Sequence, residues 1–163
     1  MLLEDKVAFI TGGGSGIGEA TAKLFASEGA NVIITDIDDV SGERVSNEIG
    51  SKATYLKCDV TNEEDVLAVI NEITKKHSRI DCAVNNAGIT GNPSNIEDTT
   101  YDNWFKVIHV NLTGVFFCLK HEITQMIKQG SGSIVNVSSG AGLIAVPSMA
   151  AYCASKHALL GLT

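Results

Sequence analysis

The stretch Val7-Ala8-Phe9-Ile10-Thr11-Gly12-Gly13-Gly14-Ser15-Gly16-Ile17-Gly18 decides how this chain folds. A short apolar run that ends in a glycine-rich turn reads as a buried strand. Behind the turn, Ile17, Thr21, Leu24 and Phe25 recur at helical spacing, which predicts a helix with that set on one face. Strand, glycine turn and helix in this order aim the N–H groups of a helix N-terminus at an anion. The pattern G-x-G-x-x-G fails here, because glycines at 12 and 14 put Ile17 in the third place. The pattern T-G-x-x-x-G-x-G fits through Thr11, Gly12, Gly16 and Gly18. The turn, with Ser15 and Ile17 inside it, is the expected cradle for a pyrophosphate. No Gly-Lys-Ser/Thr follows, so a P-loop is excluded.

Working outward, β-branched runs keep alternating with helical patterns. Residues 31–35 read as a second strand, and 40–49 as a helix that ends at Gly50. A third strand covers 53–57. Thr61 is the expected N-cap of the next helix, with Glu64 completing a capping box and Val66, Val69, Ile70 and Ile73 facing inward. A fourth strand covers 80–84. One long helix over about 102–128 carries Trp104, Val107, Ile108, Phe116, Leu119, Ile123 and Met126. A fifth strand covers 133–137, and a helix bearing Tyr152 follows. Such alternation predicts an α/β fold: a doubly wound parallel sheet in the order 3-2-1-4-5, with right-handed crossovers and helices on both faces. Ligands of such sheets bind at the carboxyl ends of the strands, beside the reversal between strands 1 and 4.

With 163 residues, 44% of them hydrophobic, the chain is expected to form a single domain over 1–163. No run approaches the ~20 apolar residues that span a bilayer. Acidic residues come too early for a signal peptide, and a cytoplasmic protein is expected. The net charge of −7, without a Lys/Arg block, argues against nucleic acid or an anionic membrane as partner. Cys58, Cys82, Cys118 and Cys153 are scattered, and the four histidines lack ligand spacing. No metal is expected, and the cysteines read as buried, reduced, small hydrophobes.

Asp36 closes the second strand eighteen residues after Gly18. A carboxylate there accepts from ribose hydroxyls and repels a 2′-phosphate, and Gly13, Gly14, Ser15 and Ile37 bring no base. NAD is therefore expected over NADP. Tyr152 and Lys156 stand four residues apart, on one face of a helix. A nearby ammonium favours the phenolate, which makes Tyr152 a candidate general acid/base. Ser139, thirteen residues upstream, is expected to hold a substrate oxygen; Ser138 competes by adjacency, and the spacing favours 139.

Taken together, Thr11-Gly12…Gly16…Gly18, Asp59, Asn85-Asn86-Ala87-Gly88, Asn111, Ser139 and Tyr152…Lys156 resemble the short-chain dehydrogenase/reductase family in its commonest branch, over essentially the whole chain. The resemblance implies a Rossmann-type domain in which Asp59 bonds the adenine amino group with the Val60 backbone beside it. It implies that Asn86, Ala87 and Gly88 steady the central sheet along the cofactor, and that Asn111 distorts its helix and holds a water near Lys156. Ser139 would orient the substrate, Tyr152 exchange its proton, and Lys156 bind the nicotinamide ribose. The implied reaction is reversible hydride transfer between NAD and a secondary alcohol/ketone pair. Leu143, Ile144, Val146 and Met149 suggest an apolar wall for a hydrophobic or cyclic small-molecule substrate.

Family chains continue beyond the point reached at Thr163, through two more strands and a substrate-covering segment. The resemblance therefore implies a piece of a longer protein, which the family commonly assembles as a homotetramer. Two other readings compete. A non-catalytic nucleotide-binding module would be expected to have lost catalytic positions, yet all four are filled. A nucleotide-sugar epimerase/dehydratase would need T-G-x-x-G-x-x-G, whose third glycine would fall at Glu19.

Overall fold

Strand β1 (Val7–Thr11) is buried at all five residues, so both its faces must be covered. The computed structural model, which describes residues 1–163, covers them with helices. After β1 come α1 (Gly16–Ser27), β2 (Asn31–Asp36), α2 (Asp39–Ile49), β3 (Ala53–Lys57), α3 (Glu63–His77) and β4 (Cys82–Asn85). Then follow α4 (Tyr101–Ile108), a π turn (His109–Thr113), α5 (Gly114–Gln129), β5 (Ser133–Asn136) and α6 (Ala150–Leu162). All strand pairs are parallel, in the order β3-β2-β1-β4-β5. The register sets Val7 opposite Asn31 and Ala8 opposite Cys82. Alternate β1 residues feed two cores. Val7 and Phe9 pack towards Val66 and Ile73 of α3 and Cys118 of α5, while Ala8 and Ile10 pack towards Ala22 of α1 and Val45 of α2. No helix is long and apolar enough to cross a membrane.

Three expectations are corrected. On α1, Ile17 and Leu24 are exposed, and the buried residues are Gly18 and Ala22. The small residues face the sheet because they let the helix come close to it. Thr61 is not the cap of α3. Its N–H and hydroxyl both turn back to Asp59 Oδ1 (2.9 and 2.7 Å), and Asn62 Oδ1 accepts the Glu64 N–H instead (3.0 Å). Asn62→Ala should accordingly cost about 1 kcal/mol in thermal unfolding. Thr61→Ala should leave that cap bond in place.

The long helix is the third. It runs unbroken from Tyr101 to Gln129 but passes through the π turn, where one extra residue rotates the following face by about 100°. Val107, Leu119 and Met126 are buried as expected, but Trp104, Phe116 and Ile123 are each more than a third exposed. Strand ends also move by a residue or two. Cys58 and Cys118 are buried, whereas Cys82 and Cys153 are only partly so; all four thiols are free.

Candidate active site

The carboxyl ends of β1, β2, β4 and β5 surround a cavity of about 570 Å³. Its first wall is the glycine turn. Gly12 and Gly16 adopt φ of +63° and +54°, in the left-handed region that suits glycine. A Cβ on Gly12 would stand 2.8 Å from the Ala87 Cα, and one on Gly18 would run into the Gly12 carbonyl oxygen. Ser15, extended at φ −156°, precedes α1 without capping it. The first N–H groups of α1, which no helix satisfies internally, therefore have no side-chain cap either. Ser15, Gly16 and Ile17 line the cavity there.

The end of β4 clamps this turn. Thr11 Oγ1 accepts the N–H groups of Asn86 and Ala87 (both 3.1 Å). Asn86 Nδ2 donates to the carbonyls of Thr11 (3.1 Å) and Gly12 (2.9 Å). Ala87 and Gly88 continue the wall.

Asp36 lines the second side. Its Oδ2 accepts the Gly14 N–H (2.9 Å) and its Oδ1 the Asp38 N–H (3.1 Å), which points the carboxylate along the cavity edge. A base does come near the turn. Arg44 donates to the Gly14 carbonyl (3.1 Å), but Glu19 and Glu48 hold its charge. The bonds from Arg44 and Lys23 keep the Glu19 carboxyl down at about 2. Asp59 and Val60 form the far end beside Cys58, whose thiol burial pushes up to about 12.

The remaining wall comes from α6. Lys156 is 4% exposed. Its Nζ donates to the Val137 carbonyl (2.7 Å) and lies 5.7 Å from the centre of the Tyr152 ring. Burial lowers the pKa of its ammonium. A Cβ on Gly88 would lie 3.2 Å from Asn111 Oδ1 and 3.6 Å from Lys156 Nζ, so both groups close on that glycine. Asn111 is fully buried in the π turn. It accepts the Ile89 N–H and donates to the Ile89 carbonyl (both 2.8 Å), and donates again to Ser155 Oγ (3.1 Å). The helix distortion at Asn111 is thus present, and its amide ties the segment after β4 to α6.

Gly18, Asn111 and Ser139 back the cavity without lining it; Ser138 lines it. The two serines differ in what their protons do. Ser138 Oγ donates to the Lys156 carbonyl (3.0 Å), which uses its only hydrogen. Ser139 Oγ accepts the Ala141 N–H (3.1 Å) and keeps its hydrogen to offer. Lys106 and Val110, four residues apart on the long helix, also line the cavity, as do Ile37, Ile89 and Thr90.

This carboxyl edge, a glycine turn on one side of the switch point and a Tyr/Lys helix on the other, is that of a Rossmann-type α/β domain. The family description short chain dehydrogenase matches residues 6–163, and the chain belongs to that family. It is 45% identical over 163 residues to a 3beta-hydroxysteroid dehydrogenase of Mediterraneibacter gnavus, covering 98% of this chain and 59% of the relative. It is 46% identical to the secoisolariciresinol dehydrogenase of Forsythia intermedia, covering 99% and 59%. Among solved structures, NAD+-bound xylitol dehydrogenase superimposes with a TM-score of 0.97 at 37% identity, covering 100% of this chain and 64% of that one. The chain thus spans about three fifths of the relatives it matches.

Proposed function

We propose that this chain carries the cofactor and acid–base portion of an NAD-dependent oxidoreductase acting on a secondary alcohol/ketone pair, with Tyr152 as general acid/base. The observation that carries the reading is the buried Lys156 ammonium set 5.7 Å from the Tyr152 ring, in the same cavity as the glycine turn. The cavity suits a dinucleotide. The turn is closed to any side chain at Gly12 and Gly18, so backbone alone approaches the ligand there, and Asp36 offers carboxylate lone pairs at the other end. The xylitol dehydrogenase that superimposes on this chain is NAD+-bound, which supports the same cofactor here.

Bound NAD supplies the hydride acceptor, the one piece of chemistry the side chains lack. The residues do the rest. The Ser139 hydroxyl donates to the substrate oxygen and holds it beside Tyr152. The phenol oxygen takes the alcohol proton in oxidation and returns it in reduction. Lys156 spends one N–H on Val137 and has two left for ribose hydroxyls, while its charge stabilises the negative charge that develops on the phenol oxygen. Asp59 holds the adenine end, with one carboxylate oxygen spent on Thr61.

The substrate is a hydrophobic or cyclic alcohol. Leu143 and Ile144 stand 74% and 66% exposed between Ser139 and Tyr152, and the names of the relatives include a hydroxysteroid and a borneol dehydrogenase. The exposed Phe105, Phe116 and Ile127 favour a homo-oligomer in the whole protein. The test is a panel of cyclic and linear secondary alcohols with NAD, followed at the NADH absorbance. Turnover confined to linear polyols would overturn the substrate class, and no turnover with any alcohol by the whole protein would overturn the reaction. Asp36→Ala should raise the NADP/NAD ratio of kcat/KM by roughly tenfold or more, one lost charge clash being worth about 1.4 kcal/mol. An unmoved ratio would remove Asp36 from cofactor choice.

A further inference from the structure

Beneath the cavity, α5 buries a carboxyl group that no cation answers. Glu122 is fully buried against Asn85, the last residue of β4, itself 1% exposed. Asn85 Nδ2 lies 3.0 Å from Glu122 Oε2 and 3.0 Å from Asn136 Oδ1 on β5. Both its hydrogens are therefore spent, and a nitrogen between two oxygens settles which way the amide points. Two buried atoms then remain without a partner, Asn85 Oδ1 and Glu122 Oε1. They sit on the same two side chains that the first hydrogen bond already joins.

An ionised carboxylate only accepts, so it would leave both atoms unsatisfied in a dry site. A carboxylic acid carries one O–H. Placed on Oε1 and pointed at Asn85 Oδ1, that hydrogen would satisfy both at once and close a two-bond ring with the amide. The neighbours agree. The titratable group that faces Glu122 is Cys118, one turn earlier on the same helix, with Cys58 from after β3 beyond that thiol, and burial raises the pKa of both. His121 and Lys120, just before Glu122 in sequence, are both held by Glu63. From β5 comes only the Asn136 amide, which donates onward to Thr163 Oγ1 (3.0 Å).

We propose that Glu122 is a positioning residue that works as a neutral acid, donating to Asn85 and so fixing the end of β4 from which the Asn86–Gly88 wall of the cavity springs. Asn86 follows directly and clamps the glycine turn through the Thr11 and Gly12 carbonyls. Losing the proton opens the ring and loosens that clamp. Burial is the main cause that lifts the Glu122 carboxyl from 4.5 to about 7, with the Asn85 N–H pulling the other way. The folded state then keeps a proton that the unfolded state has released. The contribution of this group to stability is fullest below about pH 4.5, is lost as pH rises through about 7, and is gone above.

Glu122→Gln is the deciding variant, because a glutamine amide makes the same two bonds and has no proton to lose. The infrared difference spectrum of wild type minus E122Q should show a protonated-carboxyl band at pH 6 that fades by pH 9. Between these pH values the wild-type Tm should fall, while that of E122Q stays level and exceeds the wild type at pH 9. Absence of the band at pH 6, or an E122Q slope equal to the wild type, overturns the neutral acid. NADH affinity supplies the positioning readout and rests on the cofactor reading above. Wild type should bind NADH severalfold more weakly at pH 9 than at pH 6, and E122Q should not. A wild type and E122Q that weaken alike overturn the positioning role. If NADH binds neither protein at any pH, the cofactor reading fails, and the infrared and unfolding results still decide the acid.

Discussion

Tyr152→Phe should lower kcat by about 10²–10⁴-fold while NADH binding stays near the wild-type value. The substitution keeps the ring, and with it the packing over Lys156 at 5.7 Å. It removes one oxygen, the only group in the proposal that takes the substrate proton. Ser139 is no substitute, because its hydroxyl offers a hydrogen to the substrate oxygen and has no base beside it to make it a proton acceptor. Lys156 is no substitute either, since an ammonium donates and has no lone pair to take a proton. The measurement is steady-state turnover of the whole protein on its best alcohol, with NADH binding followed in parallel. A variant that turns over like the wild type would end the assignment of Tyr152, whatever happens to binding.

Gly18→Ala carries the second large effect, and acts through packing. Gly18 has an ordinary helical backbone, so torsion does not forbid alanine. Space does. The added Cβ would collide with the Gly12 carbonyl oxygen and lie 2.6 Å from Asn86 Nδ2. The hydrogen bond between that amide and Gly12 (2.9 Å) would have to break or lengthen. Overpacking of this kind costs about 1–3 kcal/mol. At roughly 2–4 °C per kcal/mol for a chain of this size, Tm should drop by about 2–12 °C. NADH binding should fall with it, since the displaced atoms form the turn. Gly161→Ala is the control. It sits in α6 with nothing within 4 Å of its Cβ, and should stabilise by up to about 1 kcal/mol. A Gly18→Ala protein with unaltered Tm and NADH affinity would refute the close-packing account of the turn.

Particular residues show where reading from the chain alone works. Val7 to Ile10 and Val32 to Ile34 are continuous apolar runs, and continuous burial is what a central parallel strand requires. Five strands separated by helical patterns leave few ways to build one sheet, and the order found is the one expected. Tyr152 and Lys156 are just as legible, because i and i+4 meet on any helix. The helix α1 shows the limit. Ile17 and Leu24 carry the hydrophobic signal, yet Gly18 and Ala22 carry the burial. Small residues contribute little to periodicity and much to how closely a helix approaches a sheet.

Local pattern therefore determined the strands, the glycine turn, the carboxylate that ends β2 and the Tyr152–Lys156 pair, since each depends on neighbours within one turn or one strand, and the alternation of strands with helices implied their order. Tertiary structure alone decided the rest. Which serine keeps a free proton depends on the Lys156 carbonyl, eighteen residues from Ser138. Where the long helix takes its π turn depends on Asn111 reaching back twenty-two residues to Ile89. That Glu122 lies in the core depends on Asn85, thirty-seven residues away. A buried polar group takes its meaning from the partner that satisfies it, and that partner is set by the packing of elements rather than by the sequence around it.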